Sequence, residues 1–242
     1  MKRKPNLQHL LNLGYMQWTN KTVTLGSDDL PSLYCNTDVY PDYLALYDEP
    51  GLYHSTRATG VCFYEYDSEM DGIRGLYEAI YHEDTALLRY YKDRFKGVRF
   101  FITPDYSECG DACSIDNKHR LFRSRLVGLW LTHELQAVVI PHVTFPLIKD
   151  IRYAITGLEH CSVVAFSTKG YVNNQHEQKV LIEAVKIVTD TLPLKAIVVY
   201  DTCGDSTAVD QMFSYSVERG IKIIVPNNTL KQRNRFRKEA QE

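Results

Sequence analysis

SVVAFST (residues 162–168), a polar break, NQHEQKVLIEAVKIVTD (174–190) and AIVVYD (196–201) together decide the fold. The two short runs are almost wholly apolar and rich in valine, the pattern of strands buried on both faces and hence of a parallel sheet. Between them Val180, Ile182, Ala184, Val185, Ile187 and Val188 form an apolar stripe on a helix, which Asn173 or Asn174 is placed to cap. Strand, helix and parallel strand make one crossover unit, right-handed by the usual rule.

Outward from this stretch the unit repeats. VCFYEYD (61–67), VRFFITPD (98–105), AVVIPHVTF (137–145) and IKIIVPN (221–227) are runs of the same kind, and YLALYDE (43–49) is a candidate seventh strand. Helical stretches are predicted at about 72–95, 115–134, 146–157 and 207–219, with Gly220 in the helix-ending position. The expectation is an α/β fold with a mainly parallel sheet of six or seven βα units. Periodicity admits both an incomplete or decorated (β/α) barrel and an open doubly wound sheet, and the uninterrupted alternation favours the barrel. Residues 1–60 read as an acidic, Tyr-rich extension or lid, 61–230 as the α/β domain and 231–242 as a basic tail.

The 242 residues, 44% hydrophobic and 24% charged, exclude disorder, collagen and coiled coil. No apolar run reaches the ~18 residues of a membrane span, and the first residues lack the apolar core of a secretory signal, so a cytoplasmic protein without membrane contact is expected. The net charge of −2 conceals an uneven map. Residues 28–93 hold 14 acids, four bases and 11 of the 17 tyrosines. Lys2, Arg3 and Lys4 open the chain, while Lys231, Arg233, Arg235, Arg237 and Lys238 make the tail basic. Basic arms can neutralise phosphates, and an acidic face attracts basic protein surfaces. Solvated surface explains both equally well.

In both architectures ligands bind beyond the carboxyl ends of the strands, so the first polar residue after each run carries the most information. Those residues are Asp67, Asp105, His142, Ser167 with Thr168, Asp201 and Asn227. Asp105, Asp201, His142 and Asp67 are the candidate catalytic groups, able to act as general acid and base; Asp67, Asp105 and Asp201 could alternatively hold a divalent metal. Helix capping is the competing use of each Asp. FSTKG (166–170) and DTCGDST (201–207) set hydroxyls and a glycine before a helix start, where phosphate can bind, although Asp205, Ser206 or Thr207 could equally be a cap. Arg123 and Arg125 point about 200° apart on a helix, so one can reach the rim while the other pairs with a carboxylate. Cys109 and Cys113 with His119 and His133 could bind zinc, but the spacing is not a common one. With neither a Walker A sequence nor GxGxxG present, the sequence specifies no cofactor.

The order of motifs TPDYS (103–107), FRSRLVGLW (122–130), VVIPHVTF (138–145), GLEHCSVVAFSTKG (157–170) and AIVVYD is similar to the bacterial and phage family named domain of unknown function 4417. The resemblance covers roughly residues 95–225, with matching positions at Pro104, Asp105, Ser107, Asp111, Arg123, Arg125, Pro141, Ser167, Thr168 and Gly170. Where that family continues to an arginine–tryptophan pair, Thr144 and Phe145 stand here, and His142 is particular to this chain. The resemblance implies a setting of phages, plasmids and their hosts, with a link to nucleic acid or host interference.

Two functions follow as expectations. One is an enzyme acting on nucleic acid, a nucleotide or a related phosphorylated substrate, with Asp105 as the main catalytic carboxylate, Asp201 or His142 as its companion, and Arg123, Arg125, Ser107, Ser167, Thr168 and Gly170 binding substrate. The other is a non-catalytic binder that sets its acidic, Tyr-rich face against a basic host protein.

Overall fold

The computed structural model describes residues 11–172, 174–203 and 206–239. Lys2, Arg3, Lys4, Asn173 and Asp205 lie outside them. Helix α1 (Met16–Thr19) and the antiparallel pair β1 (Thr24–Leu25) and β2 (Leu30–Pro31) come first. Strands β3 (Tyr43–Leu46) and β4 (Thr59–Cys62) follow, then helices α2 (Asp67–Met70), α3 (Leu76–Tyr81) and α4 (Thr85–Arg94). β5 (Phe100–Ile102), the long α5 (Ser114–Leu135), β6 (Val138–Ile140) and the short α6 (Ile151–Ala154) complete the first part. The rest is β7 (Val163–Ser167), α7 (Gln175–Thr191), β8 (Ala196–Tyr200), α8 (Ser206–Glu218), β9 (Lys222–Ile224) and α9 (Thr229–Glu239).

Among the described residues seven strands are parallel, in two sheets: β3-β4-β5-β6 and β7-β8-β9. The sheets touch at two isolated bridges, His142↔Ala165 and Tyr43↔Asn227. At the first, Ala165 N donates to Pro141 O at 2.8 Å and Val143 N to Ala165 O at 3.0 Å; at the second, Leu44 N donates to Asn227 O at 2.8 Å. The chain is thus a mixed α/β protein with parallel sheets of four and three strands, and not a clear barrel of six or seven βα units. The reason is local: β6 ends at Ile140 before Pro141, which has no N–H to give, and β9 ends at Ile224 before Pro226, so neither junction extends into a ladder.

The central strands are buried on both faces, as their composition requires: Val163, Val164, Ala165 and all of β8 are fully enclosed. Helix α7 turns Leu181, Ala184, Val185 and Val188 to the sheet and is capped by Asn174, whose side chain accepts from His176 N at 2.9 Å. The predicted helix at 72–95 is broken in two, because Glu83 adopts φ 54 and Asp84 caps α4 by accepting from Ala86 N and Leu87 N. Helix α5 lies so close to the sheet that a Cβ on Gly128 would stand 2.9 Å from Leu33 Cδ1 and 3.0 Å from Thr103 Cγ2.

Residues 30–60 contribute strands and backbone hydrogen bonds to the same sheets. β3 and β4 are half of the larger sheet, and Leu33 N and Cys35 O bond to Gly157 and Ser162 respectively. Six tyrosines of the acidic segment (Tyr43, Tyr47, Tyr53, Tyr64, Tyr77 and Tyr91) are buried core residues, whereas Tyr34, Tyr66 and Tyr90 are exposed.

Candidate functional site

Strands β4, β5, β6 and β7 deliver four side chains to one place. Beyond β5, Thr103 accepts His142 N at 2.8 Å through Oγ1 and so fixes the backbone after β6. That places the buried imidazole of His142 with Nε2 3.4 Å from Asp105 Oδ1 and Nδ1 3.1 Å from the hydroxyl of Tyr64, two residues past β4. The Tyr64 ring stands edge-on to the imidazole at 4.9 Å and packs on Tyr200 at 4.6 Å. Burial holds the Tyr64 phenol far above its ordinary pKa, so it keeps its proton. Tyr64 and His142 Nδ1 share this hydrogen bond, and the Nε2 edge of the ring faces Asp105.

Asp105 is 32% exposed. Crowding by protein pushes its pKa up, but His142, a hydrogen bond from Thr144 and the charge of Lys169 outweigh this, and the carboxyl lies below the usual range. A cleft of about 30 Å³ opens here, lined among others by Asp105, His142, Thr144, Ser167 and Lys169. Lys169 Nζ donates to Tyr64 O at 2.6 Å, and Gly170 takes φ +91 between Lys169 and Tyr171, which both line the cleft. Asp105, His142 and Ser167 thus share one site, joined by Tyr64 and Lys169. Tyr64 is hidden in the sequence because it sits in an aromatic run; Lys169 lies inside the quoted FSTKG loop, two residues past the end of β7.

A second polar group forms at the end of β8. Asp201 is fully buried; its Oδ1 accepts from Cys203 N at 2.8 Å and from Thr168 Oγ1 at 3.5 Å. Its Oδ2 lies 3.3 Å from Lys231 Nζ, within ion-pair reach but without hydrogen-bond alignment. Asn228 Nδ2 donates to Asp201 O and Asn234 Nδ2 to Thr202 O, so α9 is fastened to this loop. Asp201 and Thr168 are linked through these partners and not through the Asp105 cleft.

The remaining candidates serve as ties. Asp67 does not end a strand, since β4 stops at Cys62; it starts α2, accepts Ser107 N at 3.0 Å and pairs with Arg120. Arg123 pairs with Asp71 and lies 4.3 Å over Tyr106. Arg125 is buried and donates to Ala154 O at 2.8 Å and Thr156 O at 3.3 Å. Neither arginine lines the Asp105 cleft. Cys109 and Cys113 are exposed free thiols and His119 is bonded to Tyr77. Among the described residues no three His, Cys, Asp or Glu side chains gather as a metal site, so neither the zinc set nor the Asp67–Asp105–Asp201 set is assembled. Among the described residues, four of the fourteen acids of the acidic segment are met by the chain's own bases: Asp28 by Lys118, Asp38 by Lys195, Asp67 by Arg120 and Asp71 by Arg123.

A carboxylate and an imidazole at the carboxyl ends of parallel strands define an α/β protein with a strand-end polar site. The family described as Domain of unknown function (DUF4417) matches residues 24–219, and the chain belongs to it. The matched stretch takes in β1 to β4 as well as the motifs from TPDYS onward, and leaves β9 and α9 outside. A comparison with curated proteins gives no match. Among the described residues no helix is long and apolar enough to cross a membrane.

Proposed function

We propose that the protein is a cytoplasmic enzyme that acts on a nucleotide, a nucleic acid or a related phosphorylated substrate, with Asp105 as general base and His142 as the group that orients and stabilises it. One observation carries this reading: a carboxyl kept ionised against its surroundings stays partly open to solvent at the mouth of a cleft, while its histidine partner is buried and held from behind by Tyr64. The cleft of about 30 Å³ has room for roughly two waters or the oxygens of one reacting group, at ~10–15 Å³ per water. Lys169 and Ser167 supply positive charge and a hydroxyl for an anionic oxygen. The same reading takes the seven parallel strands as one ring pinched at its two bridges, which would set all strand ends on one rim. A phage or mobile-element setting, implied by the motif order, fits this substrate class. The acidic, Tyr-rich segment supports a binding face less, because six of its eleven tyrosines are buried and four of its acids pair with the chain's own bases.

The test is turnover of aryl phosphate mono- and diesters, nucleoside triphosphates and single-stranded nucleic acid by the full chain and by Asp105→Asn. Loss of the general base should lower the rate about 10²- to 10⁴-fold at an unchanged melting temperature. Full activity in that variant would refute the assignment.

A further inference from the structure

A second, larger cleft of about 250 Å³ lies between residues 108–118 and 146–154. Leu121, Leu147 and Tyr153 supply apolar lining, and Glu108, Ser114, Asn117, Lys149 and Asp150 supply polar groups. Lys118 also lines it, pairs with Asp28 at 2.7 Å and stands 5.0 Å over one face of the Tyr153 ring, which leaves the other face for a ligand. The volume falls below the roughly 300–1,000 Å³ of clefts that enclose drug-sized molecules, so it suits one flat ring system. Glu108 Oε1 is buried without a hydrogen-bond partner, which a folded protein does not leave uncompensated without cause. Two segments connect this cleft to the smaller one. Residues 105–110 carry Asp105 into the first and Glu108 into the second, and residues 142–147 carry His142 into the first and Leu147 into the second.

We propose that this larger cleft is the recognition subsite of the same active site and that it holds a nucleobase, stacked on Tyr153 and Leu147 with its edge bonded to the Glu108 carboxyl. The proposal rests on the nucleotide reading above and narrows it. Burial, with Asp105 and Asp150 nearby, pushes Glu108 up to about 8, while Arg125 and Arg120 pull the other way. At neutral pH the group is therefore mostly uncharged and offers an O–H donor beside a carbonyl acceptor. That paired edge, between an aromatic and an apolar wall, is how proteins hold an unstacked base.

Binding of adenosine, cytidine, guanosine and uridine to the full chain, by calorimetry between pH 6 and 10, tests this. At least one nucleoside should bind, with affinity falling above pH 8 towards about tenfold per pH unit. Glu108→Gln keeps a donor and an acceptor, so it should bind at neutral pH and lose that decline. Glu108→Leu should bind at least tenfold more weakly at an unchanged fold. No nucleoside binding, equal binding by Glu108→Leu, or an unaltered pH profile in Glu108→Gln would overturn the proposal. So would inorganic phosphate that excludes nucleosides from a site indifferent to Glu108. Asp105→Asn separates the two readings: nucleoside binding that survives in it supports the subsite whether or not turnover is lost, and turnover that survives refutes only the role of Asp105.

Discussion

Replacing Lys231 by methionine removes the cation that faces Asp201, a carboxylate with no exposed surface. At 3.3 Å the attraction is about 5 kcal/mol with an effective dielectric constant of ~20, and the desolvation of both groups offsets part of it. Breaking a buried pair from one side costs more than the pair is worth, typically about 3–5 kcal/mol, because the remaining charge stays buried. Lys231 is 23% exposed, which lets water approach and sets the expectation at the lower end, near 3 kcal/mol. Asp201→Asn in the same chain restores neutrality and keeps an acceptor for Cys203 N, so the double variant should recover roughly 2 kcal/mol of the loss. Urea unfolding followed by the fluorescence of Trp18 and Trp130, both buried, reads these differences. A cost below about 1 kcal/mol for Lys231→Met, or a double variant no more stable than the single one, would show that the pair does not hold α9 to the β8 loop.

Further expectations concern pH, packing and the basic helix. Because the Asp105 carboxyl lies below its ordinary range, activity should hold as pH falls to about 4, and a pH–rate profile with an acid limb near 6 would assign the base elsewhere. Glu108 holds its proton to about 8 in the folded chain but only to the ordinary 4.5 once unfolded, so its contribution to stability declines as pH rises through that window. The melting temperature of Glu108→Gln relative to wild type should therefore climb between pH 5 and 8 and then level off; a flat difference refutes the shift. Gly128→Ala should lose about 1–2 kcal/mol in urea despite the better helix former, since the new methyl group meets Leu33 and Thr103, and a gain in stability would contradict that contact. Arg233 and Arg237 are exposed on α9, so changing both to Ser should leave melting unchanged and lower the salt slope of nucleic-acid binding by about one for each phosphate no longer neutralised. An unchanged slope would remove this helix from the interface.

The apolar runs were legible because burial leaves little room for polar alternation: all seven, YLALYDE included, overlap a parallel strand, VCFYEYD by only the last two residues of β4. Their ends were less so. VCFYEYD continues apolar and aromatic past Cys62, which hides the stop at Cys62 and made Asp67 look like a strand end. The two contacts between the sheets were not legible, since an isolated bridge leaves no periodic trace. In the site, the strand-end rule brought Asp105, His142 and Ser167 to one cleft, but Asp201, one strand further along the sheet that carries Ser167, found its partners in Thr168 and Lys231. Lys231 read as one more charge in a basic run, because a charge pattern does not say which member is buried. Glu108 is marked by nothing in its spacing; only a buried, unpartnered oxygen together with a place in the lining of the larger cleft sets it apart.

The two bridges also bear on how the chain is made. The larger sheet draws on residues 43–140 alone and can assemble while the ribosome is still working on the second half. Its outer strand β3, however, meets its neighbour only at Asn227. At about 5–20 residues per second the nascent protein carries that open edge for several seconds, a template for pairing with another chain. The four residues of β3 keep the exposed ladder short, and translation that pauses between residues 140 and 227 is the point at which misassembly should concentrate.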